Sequence, residues 1–403
     1  MKRSLLFILC IGVLKLSASQ ELKTLKVGIL HSKTGVMATS EIPMILSTLF
    51  AIEEINRSGG IDGKLIEPVI YDGASDNEEF KKGANYLIDQ GITTLFGCWT
   101  SSSRKSIVPI LEERQAALFY SVQFEGLERS PQVIYLGAPP NQQLLPAVSW
   151  AMSHITKQFY VVGSDYIYPK ASFQILQDFL PSQGGKILGS RFIPLAVLDV
   201  DAIIADIKRL KPPAILNFLN GQVNQKFFQY LESDPELKKI PIFSFSVTED
   251  NIADWRVSLD SHYLCWSYFQ NFTTPTNRPF LKSFHETVDP QIIVNDPMET
   301  AYCGVYLWAN TVKTIGSTDI KKILHFIQGQ GFLAPEGIVN VERNNHLYRA
   351  IALCQVKAGI QPQLVWKSTQ VIKPDPFPLS RSQQEWDILL KRWYQQWGNK
   401  WGA

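Results

Sequence analysis

The feature that most constrains this chain is a repeated alternation of short β-branched runs with longer amphipathic stretches. Residues 25–30 read as a buried strand, and Met44, Leu46, Leu49, Phe50, Ile52 and Ile55 fall mostly at helical spacing. The pattern predicts further strands at 66–71, 93–96 and 118–122, with helices at 80–90 and 106–114. Such alternation means right-handed βαβ units on a parallel sheet. Pro139 and Pro140 interrupt the rhythm, because proline fixes φ and removes a ladder donor. It resumes with strands at 159–163, 186–192, 214–218 and 242–246, and helices at 171–180, 200–210 and 222–231. A second α/β lobe over roughly residues 141–267 follows, and the apolar helices 298–315 and 320–328 are assigned back to the first lobe. At 403 residues, two lobes are the expectation rather than one core.

Thirty-nine bases face 37 acids, a balance that argues against a nucleic-acid partner. Met1-Lys2-Arg3, the uncharged run 5–14 and the small residues Ser17-Ala18-Ser19 have the layout of a secretory signal peptide over residues 1–19. The apolar run is about half of the roughly 20 residues that span a bilayer, so no stable membrane insertion is expected after cleavage. Removing 1–19 takes Lys2, Arg3 and Lys15 and no acid, leaving the chain slightly acidic, and the expected location is periplasmic or otherwise extracytoplasmic. Cys98, Cys265, Cys303 and Cys354 are widely spaced without a C-x-x-C, which suggests neither a zinc site nor a redox motif. They read as isolated buried thiols, one or two disulfides remaining open in an oxidising compartment.

Catalytic patterns are missing: there is no H-E-x-x-H, no G-x-S-x-G, no phosphate-binding loop and no histidine pair at metal-ligand spacing. No enzyme, cofactor or metal is expected. Ser101-Ser102-Ser103 before Lys105 reads as a helix cap rather than as an amidase nucleophile. Several polar stretches instead lie where a predicted strand gives way to a helix, the place where open α/β sheets hold ligands. In the first lobe these are residues 31–35, 72–76, 97–101 and 122–126; in the second, 164–169, 220–222 and 247–250. Two facing loop sets make a cleft whose hydroxyls, amides, carboxylates and aromatics suit a small, neutral, polar ligand. The first-turn N–H groups of a helix beginning near Ser101 would hold a carbonyl oxygen, opposing carboxylates or amides would accept from an NH₂ group, and Trp99, Tyr120, Tyr166 and Tyr168 would wall the site. Trp99 and Tyr120 also fit a core role, Asp165 and Glu249 a helix cap, and Asp296 an N-cap before Pro297.

Ile55-Asn56-Arg57-Ser58-Gly59-Gly60-Ile61-Asp62-Gly63 with Tyr71-Asp72 resembles the N-terminal signature of type I periplasmic binding proteins, the branched-chain amino-acid and amide group. Gly97-Cys98-Trp99-Thr100-Ser101 with Arg104-Lys105, residues 122–126, 140–143, 163–169, 296–299 and 334–337 narrow the likeness to the urea and short-chain amide branch, over about residues 26–377. The resemblance implies two Rossmann-like lobes joined by three crossovers and closing as a hinge. It divides the chain into a first lobe at 24–140 plus about 268–345, a second at 141–267 plus about 346–372, and a proline-stiffened, tryptophan-rich tail at 373–403. It places ligand contacts at Trp99, Ser101, Tyr120, Gln123, Tyr166 and Tyr168, with Asn220, Thr248, Glu249 and Asp296 as further candidates. The implied role is the solute-binding component of an ABC importer, delivering urea or a short-chain amide to a membrane permease. An amide sensor with a regulatory partner, a branched-chain amino-acid binder on the same fold and an amidase are the alternatives. Trp99 and Val122-Gln123 look more like urea binders, whereas Tyr168 and residues 373–376 look like amide sensors. Beyond Ser380 the resemblance ends. There Trp386, Leu389, Leu390, Trp393, Trp397 and Trp401 share one helical face, suited to docking on the protein itself or to a partner or membrane surface.

Overall fold

A computed structural model describes residues 24–258, 261–357 and 360–402. The signal-peptide expectation at 1–19 lies outside them. The first sheet is wholly parallel, in the order β2 (Ile66–Asp72), β1 (Leu25–His31), β3 (Thr94–Gly97), β4 (Ala117–Tyr120), β5 (Val133–Tyr135). The second lobe carries β6 (Gln158–Ser164), β7 (Lys186–Ile193), β8 (Ile215–Phe218), β9 (Ile242–Ser244) and β10 (His262–Trp266), mutually parallel in the order β7-β6-β8-β9-β10. A small antiparallel sheet of β11 (Gly331–Ala334), β12 (Gly337–Val341) and β13 (Leu347–Tyr348) follows. Finally β14 (Ala352–Lys357) joins β10 antiparallel, and β15 (Ile360–Lys367) adds antiparallel to β14 at the edge. The architecture is therefore α/β with two Rossmann-like lobes, and one expectation needs correction: the second sheet is mixed, not parallel. A hairpin needs only a short turn, whereas a further parallel strand would need a helical crossover.

Helical spacing located the main helices but not their ends. The helix Ala38–Arg57 starts six residues before the predicted run and keeps Pro43 inside, near its start. The helix Ser101–Arg114 begins at the serines, capped by the Thr100 hydroxyl, which accepts the Ser103 N–H. The helix Leu144–His154 and the short β5 carry too little pattern to be read beforehand. The helix Asp296–Ile315 packs in the first-lobe core with Phe50, Phe96 and Phe119. Its cap is Asn295, which accepts the Met298 N–H, so Asp296 is not the N-cap and its carboxylate is free for other partners. Among the described residues Cys98, Cys265, Cys303 and Cys354 are buried free thiols. Among the described residues no helix is long and apolar enough to cross a membrane.

The chain passes between lobes after β5, after β10 and after β13, and one buried arginine sees all three crossings. Arg349, 1% exposed, follows β13. Its guanidinium donates to the Leu136 carbonyl (3.2 Å) of the first crossing, to Glu336 (2.6 Å) and to Asp296 (3.2 Å). Asp296 in turn accepts the Ser267 and Tyr268 N–H groups (2.8 and 2.9 Å) of the second crossing. Glu299 stands 3.7 Å from Arg349, and burial together with Glu336 pushes its carboxyl well up, Arg349 opposing. Removing the cation strands three buried acids. Arg349→Met is expected to lose about 3–5 kcal/mol of unfolding free energy in guanidinium titrations at pH 7, the loss shrinking toward pH 5 as the orphaned carboxyls take up protons.

Candidate functional site

The site forms where β3 ends. Gly97 lies against Leu30, and a Cβ there would sit 2.1 Å from the Leu30 carbonyl oxygen, so only glycine fits. Cys98 takes the left-handed conformation (φ 63°), its N–H bonding the Leu30 carbonyl (2.9 Å), and this turn throws Trp99 toward the second lobe. There the indole N–H donates to Asn220 Oδ1 (3.2 Å). Asn220 is held by Ser164 Oγ at its N–H (3.0 Å) and donates to Ser246 Oγ (3.1 Å). A second bridge between lobes runs from Gln123 Nε2 to the Phe245 carbonyl (2.7 Å), which also accepts the Tyr168 hydroxyl (3.2 Å). Both hydrogen bonds run directly from one lobe to the other, and the cleft is closed across them.

Trp99, Ser101, Gln123, Tyr166, Tyr168 and Asn220 lie together and buried at this junction. Tyr120 is fully enclosed and reaches it indirectly, its hydroxyl donating to the Trp99 carbonyl (2.7 Å). Thr248, Glu249 and Asp296 are engaged elsewhere. Thr248 caps the helix Glu249–Trp255 in a capping box with Asn251. Glu249 accepts the Gln270 N–H (2.7 Å), and Asp296 belongs to the Arg349 cluster. Phe245 and Ser246, which the sequence reading passed over, supply the second lobe's carbonyl and hydroxyl. Among the described residues no group of three or more His, Cys, Asp or Glu is placed to hold a metal.

Two bases also stand beside this junction. Arg104, wholly buried, lies 4.5 Å from the Tyr120 ring centroid and 4.8 Å from that of Phe124. It donates to Ser101 Oγ (3.1 Å), Glu125 (3.2 Å) and Glu128 (2.8 Å), while Lys105 donates to Glu128 (2.7 Å). Ser101 Oγ donates onward to Glu125 (2.5 Å). Burial would raise the Glu128 carboxyl, but Arg104 and Lys105 together outweigh it and hold it at about 2. Two bases and two acids cancel, so this edge of the site offers no free cation. Its one signal in sequence is the Arg104-Lys105 pair on the helix facing Glu125 and Glu128, three residues apart on the next loop. Inside the neutral junction, Gln123 Oε1 is buried without a hydrogen-bond partner. A buried amide oxygen left so costs free energy until an N–H reaches it.

The family model for the periplasmic binding protein domain matches residues 25–383. The chain belongs to this family. A solute-binding protein of an ABC transporter from Rhodopseudomonas palustris BisB5, in complex with 3,4-dihydroxybenzoic acid, superposes with a TM-score of 0.77 at 18% identity, covering 87% of this chain and 99% of that one. At that identity the likeness speaks for the fold alone. The leucine-, isoleucine-, valine-, threonine- and alanine-binding protein of Pseudomonas aeruginosa is 33% identical over 97 residues, 24% of this chain and 26% of that one. A protein named limonene hydroxylase from Geobacillus stearothermophilus is 32% identical over 115 residues, 28% of this chain and 21% of that one. The matches span about a fifth to a quarter of the length of these curated relatives.

In this periplasmic binding protein, burial pushes the Glu249 carboxyl up to about 8, opposed by the Gln270 N–H and reinforced by Asp250. The folded state then holds a proton that the unfolded chain releases near pH 4.5, so this group costs stability as pH rises from about 4.5 to 8. Glu249→Gln removes that cost. Thermal melts at pH 5 and pH 8 are expected to show a fall smaller by about 2–5 °C in the variant than in the wild type.

Proposed function

We propose that this chain is an extracytoplasmic solute-binding protein that captures urea or a short-chain amide in the interlobe cleft by hinge closure and passes it to the permease of an ABC importer. The observation that carries the reading is Gln123 Oε1, a buried acceptor awaiting an N–H donor in a junction without a free cation. The first-turn N–H groups of Ser101 and Ser102 point out of their helix without an intrahelical partner, as helix geometry requires, and suit the carbonyl oxygen of the same ligand. Because Trp99 meets Asn220 and Gln123 meets Phe245 directly, the ligand is of a size that leaves those bridges in place. Closure is the means of capture, since the two sides of the site come from different lobes.

A carboxylate ligand would need a positive partner, and Arg104 and Lys105 are already taken by Glu125 and Glu128. The Pseudomonas relative, named for amino acids, nevertheless keeps a branched-chain amino acid as the second reading. Calorimetry with low-millimolar urea, acetamide, formamide and leucine separates the two. Saturable heat is expected from urea or acetamide and none from leucine; the reverse would overturn the proposal in favour of the amino acid. Gln123→Leu is expected to weaken amide binding about 10- to 100-fold, the worth of one buried hydrogen bond left unmade.

A further inference from the structure

The tryptophan-rich tail lies on the protein's own surface and ends over the cleft. Trp386 and Leu390 are buried in the second-lobe core, and Arg381 pairs with Asp178 (2.6 and 2.8 Å) on the helix Ile167–Ser182. Ser382 and Glu385 form a capping box at the start of the helix Gln383–Gln396. After that helix Gly398 (φ 68°) and Asn399 (φ 62°) turn the chain back. The Trp401 carbonyl accepts the Ile167 N–H (3.0 Å), and Gly402 forms a β-bridge with Tyr166. The approach is so close that a Cβ on Gly402 would stand 2.5 Å from that of Tyr166. On its other side the Trp401 indole meets Lys105 of the first lobe, with Nζ 5.1 Å from the ring centroid. A cavity of about 650 Å³ opens here, walled by Ser102 and Lys105 from the first lobe, Tyr166 and Leu195 from the second, and Tyr394 and Trp401 from the tail.

We propose that residues 397–402 are a strap that latches the closed lobes and gates passage to the cleft. The strap is anchored to the second lobe by backbone hydrogen bonding and meets the first lobe at Lys105, so opening the hinge would draw Lys105 away from Trp401. Its position over Tyr166 puts it on the route to the junction of Trp99, Gln123 and Asn220. The effect on ligand exchange rests on the cleft being the amide site; the latch itself does not.

Two variants test it, Trp401→Ala and Gly402→Val, with deletion of residues 399–403 as a third, each checked by circular dichroism for retained fold. Small-angle scattering without ligand reads the latch: the variants are expected to show a larger radius of gyration than the wild type. Stopped-flow binding of urea reads the gate, with dissociation expected to rise about 3- to 10-fold, the scale of one cation–π contact. Equal scattering and equal exchange rates across all four proteins would overturn the strap. A shift in scattering alongside silence toward urea and acetamide in every protein would support the strap and count against the amide reading instead.

Discussion

The three crossings between the lobes converge on one buried cation. Arg349 is enclosed with Asp296, Glu299 and Glu336, and through them and the Leu136 carbonyl it touches each segment that crosses from lobe to lobe. A guanidinium suits this place because its planar fork serves several acceptors at once and does not lose its charge. Three acids around one base is an excess, and burial resolves it by favouring the protonated form of Glu299, whose Oε1 also accepts the Glu336 N–H (3.0 Å). The crossings are therefore tied at one point.

A second charge cluster does the opposite work near the cleft. Arg104 and Lys105 would make the first turn of their helix an anion site, the more so because helix N-termini carry partial positive charge. Glu125 and Glu128, brought in by the loop after β4, cancel both. What remains facing the second lobe is neutral: an indole, amides, hydroxyls and backbone groups. In such surroundings hydrogen bonds gain strength from the low dielectric and an unmade one becomes expensive, so under the proposed function the lone oxygen of Gln123 would favour a ligand that brings an N–H.

Much of this was legible beforehand, and the misses have causes. The alternation that located β1 to β4 and β6 to β9 is a period change, visible wherever an element is long enough to show its period. The three residues of β5 show none. The strands β14 and β15 lack a helix between them, so the βα rhythm that revealed the others was silent. Trp99, Ser101, Gln123 and Tyr166, which the structure brings together at the junction, each stand just past a strand end, a position that local periodicity marks. Asp296 stands at a helix start and not past a strand end, and because Asn295 before it takes the cap its carboxylate is left to the Arg349 cluster. Glu249 was equally deceptive, since its helix turns it toward Gln270.

By itself the sequence determined the element types, the two-lobed plan and the neutral polar chemistry of the strand ends, since these follow from local periodicity, proline and glycine placement and residue type. Only the tertiary structure decided that Arg104 is neutralised, that Gln123 keeps one oxygen unpaired, that Arg349 joins the three crossings and that Trp401 lies against Lys105. Those facts depend on residues tens to hundreds of positions apart meeting in space. Pairing and desolvation, which decide whether a charge is free or spent, are properties of that meeting and of no stretch of sequence alone.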